Sequence, residues 1–150
     1  MPTYRIAKAK HLCTDTLTTE TGLPVVEDIS MLHKLDALCA AKGVLLIIKP
    51  HMIQKEFPIL QEELSNIEIV NDATFEDDGF QTYEVMSETD GLISDYSSVA
   101  IDYLLLDKPI GYTLDDIDAY EEQRGFLVDN PKDYMPGTHI YDFKDLLLFI

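Results

Sequence analysis

From residue 43 to residue 113 short apolar runs alternate with amphipathic stretches. "GVLLII" is a continuous apolar run that stops at Lys49-Pro50-His51. That is the pattern of a strand buried on both faces, as in a parallel sheet. Ahead of it, "DISMLHKLDALCAAKG" places Leu32, Leu35, Leu38 and Cys39 on one helical face. Asp28 or Ser30 supplies the N-cap and Gly43 the stop. Beyond it the alternation repeats. "FPILQEELSN", "FQTYEVMSETD" and "SSVAIDYLLLD" read as helices, and "IEIVN", "GLIS" and "KPIGYT" as strands. Strand and helix in turn imply βαβ crossovers: an α/β domain over residues 1–150, its parallel sheet covered by helices on both faces. Residues 1–28 are rich in Thr, lack a period and read as loop. After Thr113 the pattern loosens into "LDDIDAYEEQRGFLVDNPKDYMPG", a polar segment with Asn-Pro and Pro-Gly turn signals, and "YDFKDLLLFI" reads as a last helix.

Ligands of such sheets bind beyond the carboxyl ends of the strands. Three segments fall there: Lys49-Pro50-His51, Asp95-Tyr96-Ser97-Ser98, and Thr113 with the acidic loop after it. The polar "SDYSS" interrupts an apolar stretch because a strand ends and a helix begins. A helix starting near Ser97 has four N–H groups without helical partners and the positive end of the helix dipole, which suits a phosphate or pyrophosphate. The Ser97 and Ser98 hydroxyls add donors without bulk. Two readings stand: an anion site, or a helix capped by Asp95 or Ser97 with no ligand. His51 is placed either to bond a phosphate or move a proton, or to satisfy a neighbouring carbonyl. Lys49 is either a phosphate partner or a strand-end lysine extending its stem along apolar surface. Tyr96 and Tyr103 read as core or cleft wall, and His11, His33 and His139 as structural or surface residues.

Bulk properties narrow the field. The formal net charge is -17 over 150 residues. It disfavours a general nucleic-acid binder and a chain lying by itself on an anionic membrane, both of which need a basic face. Cys13 and Cys39 match no paired-ligand spacing, so a reduced cytoplasmic setting and no bound metal are expected. No apolar run reaches the roughly 20 residues of a membrane span, and "MPTYRIAKAK" has no signal-peptide core.

The ordered set of motifs resembles the CDP-glycerol glycerophosphotransferase family of teichoic-acid polymerases and primases. The resemblance runs through Pro2–Arg5 ("PTYR"), Leu45–His51 ("LLIIKPH") and Ser94-Asp95-Tyr96-Ser97-Ser98. It continues through Asp102, Lys108-Pro109-Ile110, Asp115-Asp116, Tyr120 and Arg124-Gly125-Phe126. Met52 stands where many members have Pro. The resemblance implies the Rossmann-like, donor-binding C-terminal half of a GT-B transferase. A strand ahead of Pro2 and the acceptor-side half would lie outside the chain. An excised or truncated piece is therefore expected, with weak donor binding and little or no turnover alone. Ser97, Ser98, Asp95 and Arg5 would hold the donor pyrophosphate. His51 would act beside it, and Lys49, Asp102 and Arg124 would support. The implied reaction passes glycerol phosphate from CDP-glycerol, or another CDP-polyol, to an acceptor hydroxyl and releases CMP. No cofactor is expected, and the whole enzyme would sit at the inner membrane face. Two alternatives stay open: the same fold with another nucleotide-activated sugar or polyol, and a non-catalytic domain whose acidic loop meets a basic partner.

Overall fold

The computed structural model describes residues 19–49, 59, 62–70, 79 and 81–150. The first helix, α1 (Ile29–Lys42), starts where the Asp28 carboxylate accepts the Met31 N–H at 2.9 Å and the Ser30 hydroxyl at 2.7 Å. It ends at Gly43, whose φ of 67° is the left-handed conformation that closes helices at low cost for glycine. Leu32, Leu35 and Cys39 are buried from it, as the spacing predicts, while Leu38 is half-buried.

The chain turns at once into β1 (Leu46–Ile48), which pairs in parallel with β2 (Ile67–Ile69), Leu46 opposite Ile67. The helix expected over 57–66 lies partly outside the described residues. Its described end, 62–66, is not helical. The Ser65 and Asn66 N–H groups donate to Asp36 on α1 at 3.1 and 2.7 Å instead of along a helix. This bond set seats β2 beside β1.

Then come α2 (Thr82–Glu88), β3 (Leu92–Ser94), α3 (Val99–Tyr103) with a 3₁₀ turn over Leu104–Leu106, and β4 (Ile110–Thr113). The segment after Thr113, expected to be irregular, holds α4 (Ile117–Gln123), a 3₁₀ turn (Pro131–Tyr134) and β5 (Thr138–Ile140) before α5 (Phe143–Phe149). Strands β3, β4 and β5 form a second parallel sheet in that order, with Leu92 opposite Ile110 and Gly111 opposite Thr138. The described strands thus make two parallel sheets rather than one, in a Rossmann-like α/β arrangement.

Both faces are covered, as alternation along β4 shows. Ile110 and Tyr112 join a core with Met86 of α2 and Val99, Ala100 and Tyr103 of α3. Gly111 points the other way, where a Cβ would stand 2.7 Å from Ile140 Cδ1 and 3.2 Å from the Phe149 ring. That second core joins Leu32, Leu35 and Cys39 of α1 to Ile48, Ile67, Ile140 and Leu146. Each such large side chain contributes about 1.5–3 kcal/mol on burial. Tyr103, 1% exposed, also places its hydroxyl 2.9 Å from Thr89 Oγ1, so its one polar atom is satisfied inside the core.

Candidate functional site

Strand β3 delivers its last residues into a polar corner. Ser94 and Asp95 are buried, at 2% and 1% exposure. Asp95 Oδ1 accepts the Ser97 N–H at 3.1 Å, an Asx turn that swings the chain from strand to helix. The first turn then closes through Ala100 N–H to Ser97 C=O at 3.1 Å and Ile101 N–H to Ser98 C=O at 3.0 Å. Ser98 occupies the N-cap position in helical conformation and makes no side-chain cap bond; it is exposed, and Ser97 is half-buried. Asp95 therefore fixes the turn, while the two serines stand at the surface of the helix start.

The ends of the other strands meet this corner. Ile48 at the end of β1, Lys49 after it, Ser94 of β3 and Thr113 of β4 line one cavity of about 80 Å³, together with Leu23 to Val26. Thr113 Oγ1 donates to Ser94 C=O at 3.4 Å, which locks the two strand ends together. The strand order changes sense here: β1 leads to β2 in one sheet, and β3 leads to β4 and β5 in the other. Such a switch point is the usual ligand crevice of open α/β sheets.

The turn before α1 was not legible as part of the site. Val25 adopts φ 56°, a strained conformation for a β-branched residue. Its N–H donates to Asp115 Oδ2 at 3.3 Å. The Thr21 hydroxyl donates to Val26 C=O, closing the same turn. Asp116 accepts the Tyr96 hydroxyl at 2.7 Å. Tyr96 also packs against Tyr120 and Phe126, with ring centroids at 4.3 and 5.3 Å. The acidic loop is thereby tied to the SDYSS turn through Tyr96 and to the Val25 turn through Asp115. Only the Leu-Pro-Val sequence hints at the turn, and nothing in it points to Asp115.

The expected residues separate as follows. Ser97, Ser98 and Asp95 share the β3 turn, and Lys49 lies on the wall of the cavity reached by Ser94. Asp102 is drawn away: its Oδ2 accepts the Tyr83 hydroxyl of α2 at 2.7 Å. That bond, together with the carboxylate's charge, pushes the Tyr83 phenol upward. Arg124 is exposed at the end of α4, its guanidinium 5.7 Å from the Tyr120 ring centroid. Arg5 and His51 lie outside the described residues, as do His11 and Met52. Of the other histidines, His33 lies 3.1 Å from Glu62 and His139 3.1 Å from Met135 C=O, both surface or structural roles. No helix among the described residues is long and apolar enough to cross a membrane.

Comparison with known proteins places the chain among its relatives. The family model described as CDP-Glycerol:Poly(glycerophosphate) glycerophosphotransferase matches residues 1–150. A teichoic acid glycerol-phosphate primase of Bacillus spizizenii is 37% identical over 103 residues, 69% of this chain and 25% of that protein. The primase of the same description from Bacillus subtilis is 30% identical over 125 residues, 83% of this chain and 29% of its own length. A teichoic acid ribitol-phosphate primase of Bacillus spizizenii is 30% identical over 127 residues, 85% of this chain and 29% of that protein. The chain thus spans between a quarter and a third of the length of these relatives.

Proposed function

Because the chain belongs to the CDP-glycerol:poly(glycerophosphate) glycerophosphotransferase family, we propose that it is the donor-binding domain of a polyol-phosphate transferase in teichoic-acid synthesis. The single observation that carries this reading is the β3 end. There a buried Asp95 turns the chain so that Ser97 and Ser98 start a helix at the sheet's switch point. The serine hydroxyls and the N–H groups of that first turn would bind the pyrophosphate of a CDP-polyol. His51, which follows the end of β1 in sequence, and Arg5 would complete the anion cradle. Lys49 would add charge from the β1 side. Asp102 and Arg124 are left with supporting roles, through Tyr83 and Tyr120.

In the reaction, an acceptor hydroxyl oxygen attacks the phosphorus that carries the glycerol. The bond from that phosphorus to the bridging pyrophosphate oxygen breaks, and CMP leaves with the bridging oxygen. The hydroxyl proton passes to a base, the role proposed for His51. Negative charge spreads over the transferring group and the leaving phosphate. Fixed N–H and O–H donors are therefore the expected catalytic device. The acceptor-binding surface would be supplied by polypeptide beyond this domain, and the whole enzyme would work at the inner face of the cell membrane.

A second polyol deserves the same test, since the relatives include proteins named for ribitol phosphate. The basic-partner alternative is weakened at the acidic loop, where Asp115 and Asp116 take hydrogen bonds from Val25 and Tyr96. Calorimetric titration with CDP-glycerol and with CDP-ribitol tests the proposal. It expects saturable binding that the double substitution Ser97→Ala, Ser98→Ala weakens by about tenfold or more, the effect of losing one or two hydrogen bonds to a charged group. Equal binding by the substituted chain would sink it.

A further inference from the structure

Helices α3 and α4 both begin without the usual capping bond. Asp116 stands at the N-cap of α4, where an aspartate ordinarily accepts an N–H of the first turn. Its side chain makes no such bond. Its Oδ1 accepts the Tyr96 hydroxyl at 2.7 Å, from a residue 20 positions earlier in the chain. Ser98 holds the same place on α3 and also makes no side-chain cap bond. The Asp116 carboxylate therefore serves the placement of two loops relative to each other rather than the start of its own helix.

Those loops are the ends of β3 and β4. Tyr96 lies between Asp95, whose Oδ1 accepts the Ser97 N–H at 3.1 Å, and Ser97 itself. Asp95 holds the turn from its buried side, and Tyr96 holds it from the side of the acidic loop. The Tyr96 ring packs on Tyr120 and Phe126, whose own centroids lie 5.1 Å apart. Ring packing lets a phenol slide in its own plane, whereas a hydrogen bond is directional. The bond to Asp116 thus fixes what the packing leaves loose. The post it is tied to is itself anchored. Asp115 accepts the Val25 N–H at 3.3 Å, and Thr113 at the end of β4 donates to Ser94 C=O at 3.4 Å.

We propose that Tyr96 is a positioning residue for the donor diphosphate: its bond to Asp116 holds the Ser97 and Ser98 hydroxyls in the orientation that a diphosphate needs. The proposal rests on the donor-binding reading given above. Tyr96 touches no reacting atom and acts through the serines that follow it. A turn already set binds its ligand without the cost of ordering it. A ligand with one phosphate uses less of the turn and gains less from its being set. The phenol thereby favours the diphosphate donor over the CMP that is released.

Amide titrations of the full 150-residue chain and its variants test this, with CDP-glycerol and CMP as probes. Tyr96→Phe keeps the ring and removes only the hydroxyl. It should weaken CDP-glycerol binding about fivefold or more, and CMP binding by about twofold or less. Asp116→Ala and Asp116→Asn remove the same charge, but only asparagine keeps an oxygen for the phenol. Alanine should lower the preference for CDP-glycerol as Tyr96→Phe does, and asparagine should retain it. Tyr96→Phe added to Asp116→Ala should cause no further loss, because the pair acts as a unit. A wild-type chain with no shift from Asp95 to Ala100 refutes the donor-binding reading and this proposal with it. A wild-type chain that binds there, while Tyr96→Phe keeps the same preference, overturns this proposal alone. Equal losses for the two ligands would mark a general loosening of the domain and overturn it too. So would asparagine as damaging as alanine, or additive losses in the double variant.

Discussion

Replacing Asp95 by alanine tests how the site is built. The carboxylate is 1% exposed, and its Oδ1 holds the Ser97 N–H at 3.1 Å. Alanine leaves that N–H without its acceptor at the first turn of a helix, a loss of about 1–2 kcal/mol. Relief from burying a carboxylate offsets part of it. For a chain of this size the net loss corresponds to a melting temperature lower by about 3–6 °C. Asp95→Asn keeps an oxygen at the Oδ1 position and should recover the part of the loss that the Ser97 N–H bond carries. Thermal and urea unfolding of the three chains give the energies, and the Ser97 amide resonance reports the turn directly. The reasoning is refuted if alanine unfolds with the wild type and leaves the Ser97 resonance in place, or if asparagine is as damaging as alanine.

Three further outcomes follow from the same geometry. Partial burial pulls the Asp36 carboxyl upward, but hydrogen bonds from Asn66 and Ser65 outweigh it and leave the group below its ordinary 3.8. Its contribution is therefore present above the unfolded value and lost as pH falls through the lower folded one; Asp36→Asn should flatten unfolding midpoints across that acidic window, and an unchanged pH slope would contradict this. Lys108→Met removes an ammonium that donates to Ser87 C=O at 2.8 Å and Thr89 C=O at 2.6 Å. It should cost about 1–2 kcal/mol in urea unfolding and speed amide exchange at the end of α2, where the Ser87 carbonyl and that of Thr89 just after the helix lose their donor. Gly111→Val sets new carbons against Ile140 and Phe149, where a Cβ already stands at 2.7 and 3.2 Å; a loss of about 1–3 kcal/mol is expected, and a stabilised chain would show that the core between β4 and α5 is loose.

The sequence made some of this architecture legible and hid the rest, for physical reasons. Helix α1 was readable because its cap, its apolar stripe and its closing glycine agree. Strands β1, β3 and β4 were readable as short apolar runs. Helix α4 was hidden by its acidic composition: Ile117 is its one buried residue. Strand β5 was hidden because it is three residues long and buries only Ile140. That the described strands fall into two sheets leaves no mark in the hydrophobic pattern, since β1 and β3 are as apolar as β4. At the site, the SDYSS turn announced itself by interrupting an apolar run. The couplings of Val25 to Asp115 and of Tyr96 to Asp116 span 90 and 20 residues, and no local pattern encodes them. The resemblance gave Asp102 a supporting role, and only the position of α2 shows that Tyr83 claims it.

The central claim is that the turn after β3 binds the donor pyrophosphate. An amide titration of the labelled chain with CDP-glycerol, with CMP and UDP as comparators, tests it most directly. The account predicts saturable shifts concentrated from Asp95 to Ala100 and at Lys49, larger with CDP-glycerol than with CMP, which lacks the second phosphate. Shifts absent from that turn at saturation, or equal for CMP and CDP-glycerol, would contradict it.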